Sequence, residues 1–381
     1  MLDTHPQERP ATQPRAAEQL TRRELLARGA AVALLPGLAA GLLASCGETA
    51  TASAAEAPRG TAVLQGTVDG LGPDELALFH SQFPAMQVVA QTYMPSEPAY
   101  ERQLLENDAG AYDFVIGDLV TLGGLTAVGV AGLSDWSAIP NYRYVDKIFR
   151  RVCPGAVPND YGFSVIAYRR DIVSEPLTSW ADFWRLSAGY RGRVSVAADQ
   201  RPTLGVALQS LGYSANSAEP VELQRAVQAL RQLKANLIQP PWPSGDLLAA
   251  DLAAGKVVLA QCSNHDAAIA QAADDKVVAL IAHEGTVANM HCFVPLKGAG
   301  HPRIVSDFLN FHLEPRTYAR FVTATGCPWV ESAAAPYIGA ALRGKAILRP
   351  TGAQLAKFEW LRYLGAAEQA WHAAWQDVLS A

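Results

Sequence analysis

Thr178-Ser179-Trp180-Ala181-Asp182-Phe183-Trp184, followed shortly by Tyr190-Arg191-Gly192-Arg193, carries the clearest local order in the chain. Trp180, Phe183 and Trp184 stand at i, i+3 and i+4, the spacing that puts three large apolar groups on one face of a helix. That spacing marks them as core residues and not as ligand contacts. The β-branched run Arg193–Ala197 follows at once and reads as a strand.

The same helix-then-strand alternation extends in both directions and predicts an α/β fold. Upstream strands are expected at Thr61–Gln65, Gln87–Thr92, Tyr112–Ile116 and Val165–Tyr168, and downstream ones at Val257–Gln261, Val277–Ile281 and Cys292–Pro295. Helices are expected at Pro73–Phe83 and Ala99–Asn107, and then near 203–211, 219–234, 246–254 and 266–273. Three more are expected at 302–313, 315–324 and 351–379. Gly212 reads as a helix C-cap. No dinucleotide, phosphate-loop, nucleophile-elbow or zinc-helix motif occurs, so no cofactor is expected.

The N-terminus points outside the cytoplasm. Arg22-Arg23 precede an uncharged stretch, Gly29–Ala44, that is too short and Gly-rich to span a bilayer comfortably. It reads as a signal peptide of twin-arginine type, residues 1–45. The stretch ends Leu43-Ala44-Ser45-Cys46-Gly47, which resembles a lipobox with Cys46 as the lipidated first mature residue. Residues 46–59 lack large apolar side chains and read as a flexible tether.

About 335 residues remain, half of the whole chain's residues being hydrophobic, which suits two lobes. Removing residues 1–45 takes away five of 31 basic and four of 36 acidic residues, leaving 26 against 32. That mild acidity argues against a nucleic-acid partner. No second apolar run is long enough for a membrane span, which excludes a permease.

Several strings, in order along the chain, resemble the spermidine/putrescine-binding periplasmic proteins. They are Gly110–Val115, Pro158–Asp171, Thr178–Trp184 with Tyr190–Arg193, and Ala207–Asn216. Asp307–Phe311, Glu314-Pro315, Thr325–Pro328, Glu359-Trp360 and Gly365–Ala367 continue the series. The resemblance implies a two-lobed periplasmic-binding-protein fold of type II-like form, with a cleft between lobes joined by crossing strands. The lobes are expected as 60–165 plus 289–335 and 166–288 plus 336–381. It implies an exported, lipid-anchored, extracytoplasmic solute-binding protein of an ABC importer. Its expected partners are a small cationic ligand such as a polyamine, the permease subunits, and the membrane through the anchor.

The family holds polyamines with carboxylates on the ammonium groups and aromatic rings along the methylenes, because buried charges need partners and alkylammonium suits π faces. Here the match is partial. Gln65-Gly66-Thr67-Val68 replaces an aromatic run at the first strand end, while Asp199 keeps a family carboxylate and Pro202 replaces an acidic residue. Ser263, beside Asn264, stands at a family tryptophan; Ala288 and Met290 stand at an aromatic–acidic pair; Leu361 stands at a glutamine.

The candidate ligand residues are therefore Asp199, Asp118, Tyr161, Gln65, Ser263, Asn264, Asn289 and Met290. Asp118 and Asp199 each have a second reading as helix N-caps, and Tyr161 has one as hinge packing. Asn289 and His291 lie near the second crossing. Trp242 is a loop aromatic read either as a cover over the cleft or as surface packing. Ferric binding is disfavoured by the lack of an adjacent tyrosine pair, and metal spacing such as CxxC is missing. Cys153, Cys262, Cys292 and Cys327 allow three pairings, among which the sequence does not choose. The resemblance, which puts Cys262 and Cys292 at strand ends bordering the cleft, implies a Cys262–Cys292 disulfide. An enzyme on this scaffold would need a nucleophile–base pair, and Cys262 with His265 or His291 is the candidate pair. The expected function is binding and not catalysis. Another small solute, such as an amino-acid derivative or organic anion, is the alternative ligand.

Overall fold

A computed structural model describes residues 59–66, 70–91, 112–132, 135–240 and 242–380. Residues 57–381 form one compact unit. The strands are β1 (Gly60–Gln65), β2 (Met86–Gln91), β3 (Phe114–Asp118), β4 (Val157–Arg169) and β5 (Val194–Ser195). They continue as β6 (Leu259–Ser263), β7 (Val277–Leu280), β8 (Thr286–Pro295) and β9 (Phe358–Trp360). The principal helices are α1 (Glu75–Gln82), α2 (Leu119–Ala127), α3 (Lys147–Val152), α4 (Trp180–Ser187), α5 (Gln200–Ser210) and α6 (Pro220–Lys234). After them come α7 (Gly245–Ala253), α8 (Asn264–Ala273), α9 (Pro302–His312), α10 (Pro315–Thr325) and α11 (Ala367–Ser380).

Among the described residues the strands run in the order β2-β1-β3-β8-β4-β6-β5, with β7 on β4 and β9 on β8. β1 pairs in parallel with β2 and β3, and α1 lies in the crossover between β1 and β2 that parallel pairing requires. β4 joins the two parts of the sheet. Its first half, Val157–Phe163, pairs with β8, and its second half, Ser164–Arg169, pairs with β6 and β7. β8 does the same in reverse, meeting β9 through Thr286–Ala288 and β3 through His291–Pro295. Two antiparallel strands thus cross from one part of the sheet to the other.

The opening helix behaves as its spacing demands. Ser179 caps α4, its hydroxyl accepting from Asp182 N–H at 3.0 Å, a contact that contributes about 1 kcal/mol. Trp180 and Phe183 are wholly buried, and the Trp180 indole donates to the Gly285 carbonyl at 3.2 Å. Burying a side chain such as Phe183 contributes about 1.5–3 kcal/mol. Gly212, at φ 80°, takes the left-handed position just past α5.

The structure departs from the sequence-based expectations in several places. β4 is 13 residues long, far beyond Val165–Tyr168. Asp118 is the last residue of β3 and does not follow it. The single helix expected over 351–379 is broken: a helical turn at Gly352–Leu355 leads into β9, and α11 begins at Ala367. Phe358-Glu359-Trp360 gives β8 a parallel partner, and Gly365 at φ 58° reverses the chain before α11. The helix expected at Ala99–Asn107, the leader, Cys46 and the tether to residue 58 lie outside the described residues.

The Cys262–Cys292 disulfide is also corrected, since Cys153, Cys262, Cys292 and Cys327 are all free thiols. Cys262 stands opposite Val165 and Cys292 opposite Pro158 on the same strand. Seven residues of strand separate them by about 23 Å at roughly 3.3 Å per residue. A disulfide requires Cα atoms within about 7 Å.

Candidate functional site

A cavity of about 920 Å³ lies where β3, β4 and β8 meet the start of α8 and the end of α10. Ile116, Asp160, His291, Ser263 and His265 are among its walls. Its chemistry comes from a register irregularity. Pairing between β4 and β8 shifts between Pro158 and Asp160, so Asn159 is the extra residue of a bulge. The shift sets Asp160 opposite His291. On the other side of β8, Asp118 stands opposite the same histidine. Directly opposed residues share a sheet face, so Asp118, His291 and Asp160 form one row across three strands.

His291 Nδ1 and Asp160 Oδ1 are 2.8 Å apart. Asp160 also accepts from the Asn159 amide at 3.1 Å. The Asp160 charge, helped by that hydrogen bond and by Asp118, raises the imidazole to about 9 against the opposing effect of burial. His291 is therefore an imidazolium at neutral pH. Its side chain is 54% exposed whereas that of Asp160 is 11% exposed.

Asp118 caps α2, accepting from Thr121 N–H at 2.7 Å. Its other oxygen accepts from the Asn289 amide at 2.8 Å. Asn289 in turn accepts from Leu119 N–H at 3.3 Å, so the pair ties β8 to the start of α2. Asp199 caps α5, accepting from Arg201 N–H at 3.2 Å. Asp199 lies exposed on the chain's surface, with protein packed around its carboxylate. That desolvation, with the Asp118 charge adding to it, raises the carboxyl to about 6. The field of Asp118 thus reaches both His291 and Asp199.

The remaining candidates separate into two groups. Ser263 borders the cavity and caps α8, accepting from Asp266 N–H at 3.0 Å. Asn264 borders it as well, but its amide is spent on Phe163 N–H at 3.0 Å and the Ile347 carbonyl at 3.4 Å. Tyr161 and Met290 oppose each other in register, one residue along from Asp160 and His291, so their side chains leave the opposite face of the sheet, although Tyr161 still borders the cavity. Met290 is wholly buried. Tyr161 is 3% exposed, its ring packed on Phe149, Phe163 and Trp360 at 4.9, 6.1 and 5.9 Å between centroids. Gln65 is wholly buried, and neither amide atom has a hydrogen-bond partner among the described residues. Trp242 packs on Trp375 of α11, at 6.2 Å, and takes no part in the cavity wall.

Sequence reasoning passed over Asp160 and named His291 only as lying near the second crossing and as a candidate base for Cys262, not as a ligand residue. Asp160 precedes a residue that was singled out, but its place opposite His291 depends on the bulge at Asn159, and no local pattern in the sequence announces that bulge.

The model of a family described as bacterial extracellular solute-binding protein matches residues 86–340. The chain belongs to this family. The spermidine/putrescine-binding periplasmic protein of Escherichia coli is 26% identical to this solute-binding protein over 299 residues, which is 77% of this chain and 84% of that one. A putrescine/cadaverine-binding protein of Pseudomonas aeruginosa is 23% identical over 329 residues, covering 81% and 91%. Among solved structures, a lipoprotein of Treponema pallidum superposes with a TM-score of 0.72 at 24% identity, covering 84% of this chain and 99% of that one. A putative spermidine/putrescine ABC transporter protein of Listeria monocytogenes gives 0.72 at 18% identity, covering 84% and 98%. These likenesses show the two-lobed α/β fold of solute-binding proteins.

Proposed function

We propose that this solute-binding protein captures a small solute carrying a protonated amine outside the cytoplasmic membrane and delivers it to the permease of an ABC importer. The observation that carries the reading is the charge of Asp118 acting on Asp199, which raises the Asp199 carboxyl. One closes β3 and the other follows β5, on opposite sides of the crossing strands. Ligands of open α/β sheets bind beyond such strand ends. Two carboxylates in one desolvated region repel each other, and an ammonium placed between them relieves both.

The relatives named for spermidine, putrescine and cadaverine support an amine as ligand. The aromatic walls of a long polyamine site are missing at Ser263 and Ala288, which favours a short amine. Lobes of 60–165 plus 289–335 and 166–288 plus 336–381 would close on it. The leader 1–45, the tether 46–59 and lipidation at Cys46 would place the protein on the outer face of the membrane after twin-arginine export. Binding is favoured over catalysis because burial raises the Cys262 thiol well above its usual range, away from a nucleophile.

Calorimetry on the chain from Cys46 onward, with 1,4-diaminobutane, spermidine and simple monoamines, tests the reading. Asp199→Asn preserves the cap, since Asn caps as well as Asp. It should still weaken amine binding by about tenfold or more, the effect of losing about 1.5–3 kcal/mol from a charged hydrogen bond. Unchanged amine affinity in both Asp199→Asn and Asp118→Asn, or binding of anions alone, rejects it.

A further inference from the structure

The row of Asp118, His291 and Asp160 narrows the ligand class, given the amine reading above. We propose that His291 holds a carboxylate of the ligand through its Nε2–H, so that the solute is a short amino acid and not a diamine.

The geometry assigns the two ring nitrogens different tasks. Nδ1 is committed to Asp160 at 2.8 Å. Nε2 has no hydrogen-bond partner among the described residues, while His291 lines the cavity with a side chain 54% exposed. An imidazolium donates from both nitrogens, and the flanking carboxylates keep it charged. The cavity therefore presents a charged N–H donor that no described residue uses.

Charge matching gives the same answer. The His291 cation matches Asp160, which leaves Asp118, opposite His291 in register, to pair with an ammonium. A second ammonium would meet the imidazolium as a like charge. The helix ends add to this polarity. α8 opens on the cavity at its N-terminus through Ser263 and His265, and α10 at its C-terminus through Ala324 and Thr325. The first favours an anionic group and the second a cationic one. The spacing is short, because opposed residues of an antiparallel pair have Cβ atoms about 5 Å apart. An ammonium at Asp118 and a carboxylate at His291 therefore belong to a molecule with few atoms between its charges.

The test is calorimetry on the chain from Cys46 onward with the amino acids from glycine to 6-aminohexanoate and the diamines of matching length. At least one amino acid should bind about tenfold or more tighter than its matching diamine, and His291→Gln should abolish that preference. The wild-type comparison decides the matter even where the variant folds poorly. Diamines binding as tightly as any amino acid, and weakened by Asp199→Asn, overturn this inference and leave the amine reading standing. Failure of every amino acid to bind overturns it as well. Binding confined to dicarboxylates removes both.

Discussion

His312 Nδ1 and Glu75 Oε1 lie 2.5 Å apart, with the two residues 0% and 4% exposed. The contact fastens α9 to α1 across 237 residues of sequence. Glu75 also accepts from Gly72 N–H at 2.9 Å, so its carboxylate holds the chain entering α1 in place. Removing one member of a buried pair costs about 3–5 kcal/mol because the other is left alone. His312→Ala should lose stability in that range in urea unfolding. Adding Glu75→Gln to the same chain should recover part of it.

Glu331 gives a pH dependence of defined sign. It is wholly buried, and neither carboxylate oxygen has a hydrogen-bond partner among the described residues. Burial first, and then the charges of Glu314 and Asp146, raise it from 4.5 to about 8. Between those values the folded chain keeps a proton that the unfolded chain has released. Stability from this group therefore falls as pH rises through that window. Unfolding free energies measured from pH 5 to 8.5 should show the decline, and Glu331→Gln should flatten it and raise stability at the alkaline end.

Asp199 sets a pH limit on binding. With its carboxyl at about 6, it is neutral below that value and ionised above it. Amine affinity should fall as pH drops from 7 to 5, because a protonated Asp199 no longer pairs with an ammonium. In Asp199→Asn the affinity should be weaker at pH 7 and show less of this dependence. Calorimetry at three pH values suffices.

The described cysteines should be unreactive in the folded protein. Burial raises the thiols of Cys262, Cys292 and Cys327 well above their usual range, and the thiolate is the reacting species. Iodoacetamide should label them slowly in buffer and fully in urea. Non-reducing peptide mapping should show no Cys262–Cys292 bond.

Membrane anchoring is tested by mass and fractionation. Protein extracted from membranes should begin at Cys46 with an added lipid mass. Cys46→Ala should leave the membrane fraction. A variant that still fractionates with membranes at unchanged mass contradicts lipidation.

Much of the fold is legible along the chain because helix and strand periods are local. Trp180 and Phe183 are buried as their spacing requires, and β1, β2 and β7 fall within one residue of expectation at each end. β9 was not legible, since a three-residue strand embedded in helix-forming sequence exists only because β8 offers it an edge. Asp118 and Asp199 were both found at strand ends, with their capping role read correctly as an alternative. The structure assigns them caps, and the proposed binding role rests on the charge of Asp118 acting on Asp199.

The sequence by itself determined most of the segments that are helix or strand, the family, and the residues that cap helices beyond strands, because these follow from neighbours a few positions apart. Only the tertiary structure decided which side chains meet. The bulge at Asn159 turns Asp160 toward His291. The register of β3 on β8 brings Asp118 to the same histidine. Pairing with β4 holds Cys262 and Cys292 far apart. In a sheet a shift of one residue sends every side chain to the opposite face. That register is set by partners roughly a hundred residues away or more, and no local pattern records it.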